Sequence, residues 1–158
     1  MKTICLYFEI HQNIQLKRYR FFDIGTDHYY YDDYENERMM TEIAEKSYMP
    51  ALNTLLDMIH SSDKYFKVAF SVSGVAMEQM EIHAPQVLEK LQELNETGCV
   101  EFLAEPYSHG LASLANEESF AEEVKRQCQK MHEYFGQYPK VLRNSSLIYS
   151  DDIGLQVA

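Results

Sequence analysis

Short runs of β-branched and aromatic residues alternate with long stretches of helical period, and this alternation restricts the chain to one kind of architecture. Residues 3–8, 67–72, 100–104 and 140–142 read as strands. Residues 36–47, 50–61, 75–83, 85–96 and 117–135 read as helices. Leu52, Leu55, Leu56 and Ile59 fall on one helical face, and Pro50 suits a first helical turn. Gly98 and Gly136 stop helices, while Asn116 caps one whose first turns carry Glu117, Glu118, Glu122 and Glu123. Strands separated by helices imply right-handed βαβ units around a parallel sheet, an α/β fold. Four strands are too few to close a barrel. Residues 1–158 are therefore expected to form one domain with an open sheet edge, through which copies can associate.

Residues 12–34 carry no clean period. They hold Lys17, Arg18 and Arg20, then Gly25, then the Tyr-rich run 29–34, a length of loop that suggests a functional or lid-like role. The net charge of −11 offers no basic stripe for phosphates, so nucleic-acid binding is disfavoured, whereas a neutral partner such as a sugar is compatible. Twelve Tyr and eight Phe without Trp supply rings able to stack on sugars, although most Tyr in any fold simply packs. Cys5, Cys99 and Cys128 are widely spaced and form no zinc pattern; Cys5 and Cys99 are expected to pack as small hydrophobes. Neither a secretory leader nor a run of ~18 apolar residues is visible, and the expectation is a cytoplasmic protein without cofactor or metal.

In a parallel α/β sheet the C-terminal strand ends form the ligand face. Here those ends carry His11, Gln12 and Asn13, then Ser71 and Ser73, then Glu105 through His109, and finally Arg143, Asn144, Ser145 and Ser146. For Ser71 and Ser73 simple contact with water explains the polarity equally well. His28, His60, His83 and His132 lack any partner pattern and read as surface residues.

The segments that follow the first and fourth strands carry a family resemblance. Residues 8–12, the continuation 16–25 and the stretch 143–154 are similar to the N-terminal half of family 57 glycoside hydrolases, in particular the α-amylase group. That family folds as an incomplete (β/α)7 barrel and cleaves α-glucans with retention. The resemblance implies that this chain supplies about half of such a barrel. The remaining strands would lie beyond Ala158, or the chain would be a shortened relative. His11-Gln12-Asn13 resembles a His-Gln-Pro signature. Gly98-Cys99-Val100-Glu101, followed by Tyr107-Ser108-His109, resembles Gly-x-x-Glu with its loop. The third signature resembles Arg-Asn-Thr-Glu-Leu-Ile-Tyr-Ser-Asp-Glu-Ile-Gly, and here Ser146 stands at the position of the nucleophilic Glu.

The resemblance implies an α-amylase-like protein that acts on or binds α-1,4-glucans or maltooligosaccharides. His11, Gln12, Glu105, His109 and Arg143 would contact the sugar. A retaining glycosidase needs two carboxyl groups ~5–5.5 Å apart. A serine at the nucleophile position gives an ether-like adduct that does not leave readily. The partner Asp lies on a later strand of the family's barrel, so hydrolysis by this chain is expected to be impaired. Two other classes stand beside this one. One is a non-catalytic carbohydrate-binding or regulatory protein. The other is a metal-dependent hydrolase of polysaccharide-deacetylase type, in which His11 and His109 would supply two ligands.

Overall fold

The computed structural model describes residues 4–157. Three parallel strands, β1 (Tyr7–Ile10), β2 (Val68–Val72) and β3 (Val100–Leu103), lie in the order β1-β2-β3. Between them run α1 (Asp33–Ile43), α2 (Met49–Ser61), α3 (Gly74–His83) and α4 (Pro85–Glu96). A short α5 (Ala112–Ala115), the long α6 (Glu117–Phe135) and α7 (Asp151–Val157) follow β3.

The central strand, β2, sits between the other two, which is why its sequence is apolar almost throughout and why only Ala69 escapes full burial. Phe8, Phe70 and Phe102 are register partners across the sheet, and Phe102 stacks on Phe135 of α6 with centroids 4.1 Å apart. This aromatic row ties the last long helix to the strands. Leu52, Leu55, Leu56 and Ile59 of α2 join Met77 and Met80 of α3 and Leu91 and Leu94 of α4 in the same core. Gln127 of α6 is wholly buried and donates through Nε2 to the carbonyls of Val72 and Leu103 at 3.1 and 3.4 Å. It thereby satisfies backbone acceptors just where β2 and β3 run out of pairing.

Several expectations need correction. The first strand begins at Tyr7 rather than near residue 3, because β2 starts only at Val68 and offers no earlier partner; Thr3 itself lies outside the described residues. Cys5 is exposed rather than packed. The fourth strand shrinks to a single bridge, Ala104 to Leu142, closed by Ala104 N–H to the Val141 carbonyl and Arg143 N–H to the Ala104 carbonyl, each 2.8 Å. The three residues Lys140, Val141 and Leu142, of which two are apolar, are too short a run for more. The first helix starts at Asp33, where Asp32 caps the Glu35 amide, and passes through a π-helical turn at Ala44–Tyr48 into α2. The 12–34 stretch is partly built: Leu16 bridges Tyr31, a 3₁₀ turn spans Phe21–Asp23, and Asn36 clasps both backbone groups of Gln15. Among the described residues, no helix is long and apolar enough to cross a membrane.

Candidate functional site at the strand ends

Glu105 is wholly buried just beyond β3. Its Oε2 accepts from the Ser71 hydroxyl at 2.8 Å and from Arg143 Nη1 at 3.4 Å, while Oε1 is buried without a partner. Arg143, itself buried, reaches the other way to Glu9 Oε2 at 2.6 Å. One guanidinium therefore bridges two carboxylates from opposite edges of the sheet, the planar fork being suited to that task. His109 completes the cluster: Nε2 lies 3.1 Å from Glu9 Oε1, and Nδ1 lies 3.4 Å from Glu105 Oε2 without hydrogen-bond alignment.

Burial pushes the Glu105 carboxyl up to about 7, outweighing the downward pull of the Ser71 hydroxyl and the Arg143 charge; the Glu9 charge adds to the rise. Burial likewise lowers His109 below the usual imidazole range, against the pull of Glu9. A neutral His109 with its hydrogen on Nε2, the nitrogen beside Glu9, turns the lone pair of Nδ1 toward Glu105, a contact eased when Glu105 carries a proton.

His11 stacks on His109, with ring centroids 4.3 Å apart, and both of its nitrogens are engaged. Nε2 lies 2.8 Å from Asn13 Oδ1, which can only accept, so Nε2 carries the hydrogen. Nδ1 then accepts from the Ser73 hydroxyl at 2.7 Å, while Ser73 Oγ accepts the Ala76 amide as the N-cap of α3. The first strand signature is thus wired through Ser73 to the start of α3. Gln12 lies beside the cluster rather than in it: its carbonyl accepts from Gln79 Nε2 at 2.6 Å.

The segment after Leu142 splits in two. Arg143, Asn144 and Ser145 are buried, and Asn144 ties the turn together through Ser113 Oγ and the Ile148 carbonyl, each 2.9 Å away. Ser146 is exposed and lies in the left-handed region with φ +53°. His11, Glu105, His109 and Arg143 are thus brought together by the fold, whereas Ser146 faces solvent on the adjoining turn.

Glu9, Glu105 and His109 offer ligand atoms within 4.8 Å of one another. The donor set fits a cation poorly, because the Arg143 guanidinium already bonds to both carboxyl groups and its own charge repels a cation. His11 does not join this group, since both of its nitrogens are taken. The structure shows His11 and His109 as a stacked pair of rings.

Sequence reasoning placed Ser71, Ser73 and Asn13 at the strand ends without their partners, and missed Glu9. Ser71 and Ser73 are wholly buried and bonded to Glu105 and His11, not polar through contact with water. Asn13 fixes the His11 tautomer. Glu9 had a legible signal: it sits two residues before His11, and alternation along a strand puts both on one face.

Residues 5–157 match Glycosyl hydrolase family 57. A Methanocaldococcus jannaschii protein described as "Putative alpha-amylase" is 37% identical over 125 residues, which are 78% of this chain and 26% of that protein. The structure of 4-alpha-glucanotransferase from Thermococcus litoralis superposes with a TM-score of 0.69 at 15% identity, covering 97% of this chain and 21% of the other; that likeness is one of fold. The chain thus spans about a quarter of the length of the curated relative it matches. By its sequence from residue 5 to residue 157, the chain belongs to glycosyl hydrolase family 57.

Proposed function

We propose that the strand-end cluster binds α-1,4-glucan or maltooligosaccharide without hydrolysing it, making this chain a carbohydrate-binding homologue of the family's α-amylase-like members. One observation carries the reading: the residue at the nucleophile position is a hydroxyl on an exposed, left-handed turn, outside the buried Glu9–Arg143–Glu105 network. Retaining hydrolysis requires a carboxylate that forms and releases a glycosyl ester, and Ser146 supplies none. The half-buried, stacked rings of His11 and His109 offer a face to a sugar, and a neutral ligand avoids repulsion by a protein of net charge −11.

The test is to incubate the purified chain and its Ser146→Glu variant with maltooligosaccharides, reading reducing ends and binding separately. The expected result is saturable binding by both and turnover by neither. Reducing ends released by the unmodified chain would sink the non-hydrolytic reading, and no binding at all would sink the carbohydrate reading.

A second reading is favoured by the spacing of Glu9 and Glu105, whose oxygens lie within 4.8 Å, and by a Glu105 carboxyl held at about 7, suited to donating a proton. Against it stands the complete burial of Glu105, which leaves a substrate no route to its oxygens. Turnover abolished in Glu9→Gln would establish this second reading.

A further inference from the structure

A separate cleft opens between the 12–32 loop, α1 and α3, with a volume of about 240 Å³. None of Glu9, His11, Glu105, His109 or Arg143 lines it. Its wall carries the half-exposed rings of Tyr29 and Tyr31 and the exposed side chain of Ile82. The polar residues that line it are Asp33, Asn36, Glu78, Gln79 and His83. Tyr29 is held in place by its hydroxyl donating to Asp33 Oδ1 at 2.6 Å, by Lys17 over its ring at 4.7 Å and by an edge-to-face contact with Tyr31.

Gln79 is the informative member. It is 4% exposed, its Nε2 is spent on the Gln12 carbonyl, and its Oε1 is buried without a partner. An orphaned acceptor costs about 1–3 kcal/mol unless something donates to it. Glu78 accepts from Tyr107 and pairs with Arg126 at 3.3 Å, and Asp33 accepts from the Tyr29 hydroxyl. Apolar ring faces beside several hydrogen-bond acceptors suit a polyhydroxylated ligand. The volume lies just below the ~300–1,000 Å³ of drug-sized ligand sites, which suits about one sugar ring.

We propose that this cleft is a second glucan-binding subsite that takes the end of an α-glucan, with Tyr31 and Tyr29 as its stacking wall and Gln79 Oε1 accepting a sugar hydroxyl. The inference rests on the carbohydrate reading of the strand-end cluster. Gln79 links the two places, since the carbonyl it holds belongs to the residue after His11.

The experiment is a titration of the ¹⁵N-labelled chain with maltotriose, following amide and side-chain shifts. Two saturable sets are expected, one around His11 and His109 and one around Tyr29, Tyr31 and the Gln79 side-chain amide. Tyr31→Ala should weaken the second set about tenfold, as expected for loss of one aromatic contact. Tyr31→Phe, which keeps the ring, should restore it. The first set should keep its affinity in both variants, which also reports that they are folded. Shifts confined to the strand-end set, or a second set indifferent to Tyr31→Ala, would overturn this subsite and leave the strand-end proposal intact. No shifts anywhere would overturn both. Tetramethylammonium shifting the cleft residues where maltotriose does not would show a cation cage instead, and would overturn the glucan assignment.

Discussion

Glu105 has one oxygen shared by Ser71 and Arg143 and another with no partner, in a position closed to water. Desolvation dominates there and holds the carboxyl at about 7, so the folded chain retains a proton that the unfolded chain releases near its ordinary value of 4.5. Because the folded value is the higher one, the stabilising contribution is complete below about pH 4.5 and is lost as pH rises through about 7. Arg143 and His109 face the same carboxyl, with Glu9 beside it. Glu105→Gln keeps the shape and the neutral state at every pH. Urea unfolding of both proteins across this range should show the variant gaining on the parent as pH rises, by on the order of 1–3 kcal/mol at its largest. A difference independent of pH would mean that Glu105 is ionised throughout.

At the level of elements, the loop after β3 is fastened to two helices at once. The Tyr107 ring lies flat against Gly74 at the start of α3, its hydroxyl donates to Glu78, and the Arg126 guanidinium covers it at 3.7 Å from the centroid. Ser108 binds Glu123 of α6 through both its amide and its hydroxyl, at 2.7 and 2.5 Å. This bracing carries the chain from Glu105 to His109, which turns through a left-handed backbone at φ +55°. A Cβ on Gly74 would fall inside the Tyr107 ring. Gly74→Ala should therefore cost about 1–3 kcal/mol by overpacking. It should also disturb the His109 resonances, because the displaced ring pulls on the loop that holds them. Chemical denaturation and the histidine NMR signals check the two halves of this prediction.

The same bracing shows what a sequence displays and what it hides. The span of α6 is legible to the residue because Asn116, four acidic residues and Gly136 mark both of its ends with local chemistry. The buried Gln127 inside it is invisible, because its partners are carbonyls of two strands far off in sequence. Ser71 and Ser73 look like surface polarity for the same reason: each is explained only by Glu105 or His11 arriving from another strand. The fourth strand is overread because two apolar residues, Val141 and Leu142, state a propensity, whereas a strand requires a neighbour to pair with along its length.

At the scale of the whole molecule, an exposed sheet edge and a large net charge oppose each other. Leu6, Tyr7 and Phe8 along the β1 side are 43%, 44% and 38% exposed, and among the described residues β1 pairs only with β2. Such an edge invites pairing with another chain. A net charge of −11 repels a second copy, and that repulsion reaches only as far as salt allows. The screening length shrinks from about 10 Å at ~0.1 M to about 3 Å at ~1 M ionic strength. Self-association measured by sedimentation equilibrium should therefore increase with salt at fixed protein concentration, and Phe8→Lys, which places a charge on the edge strand, should suppress it. Binding of a neutral glucan releases no counterions, so its affinity should stay flat over the same range. A chain that remains monomeric at every ionic strength would show that the β1 edge is protected, and a glucan affinity that falls with salt would show that charge, rather than ring faces and hydroxyl acceptors, governs recognition.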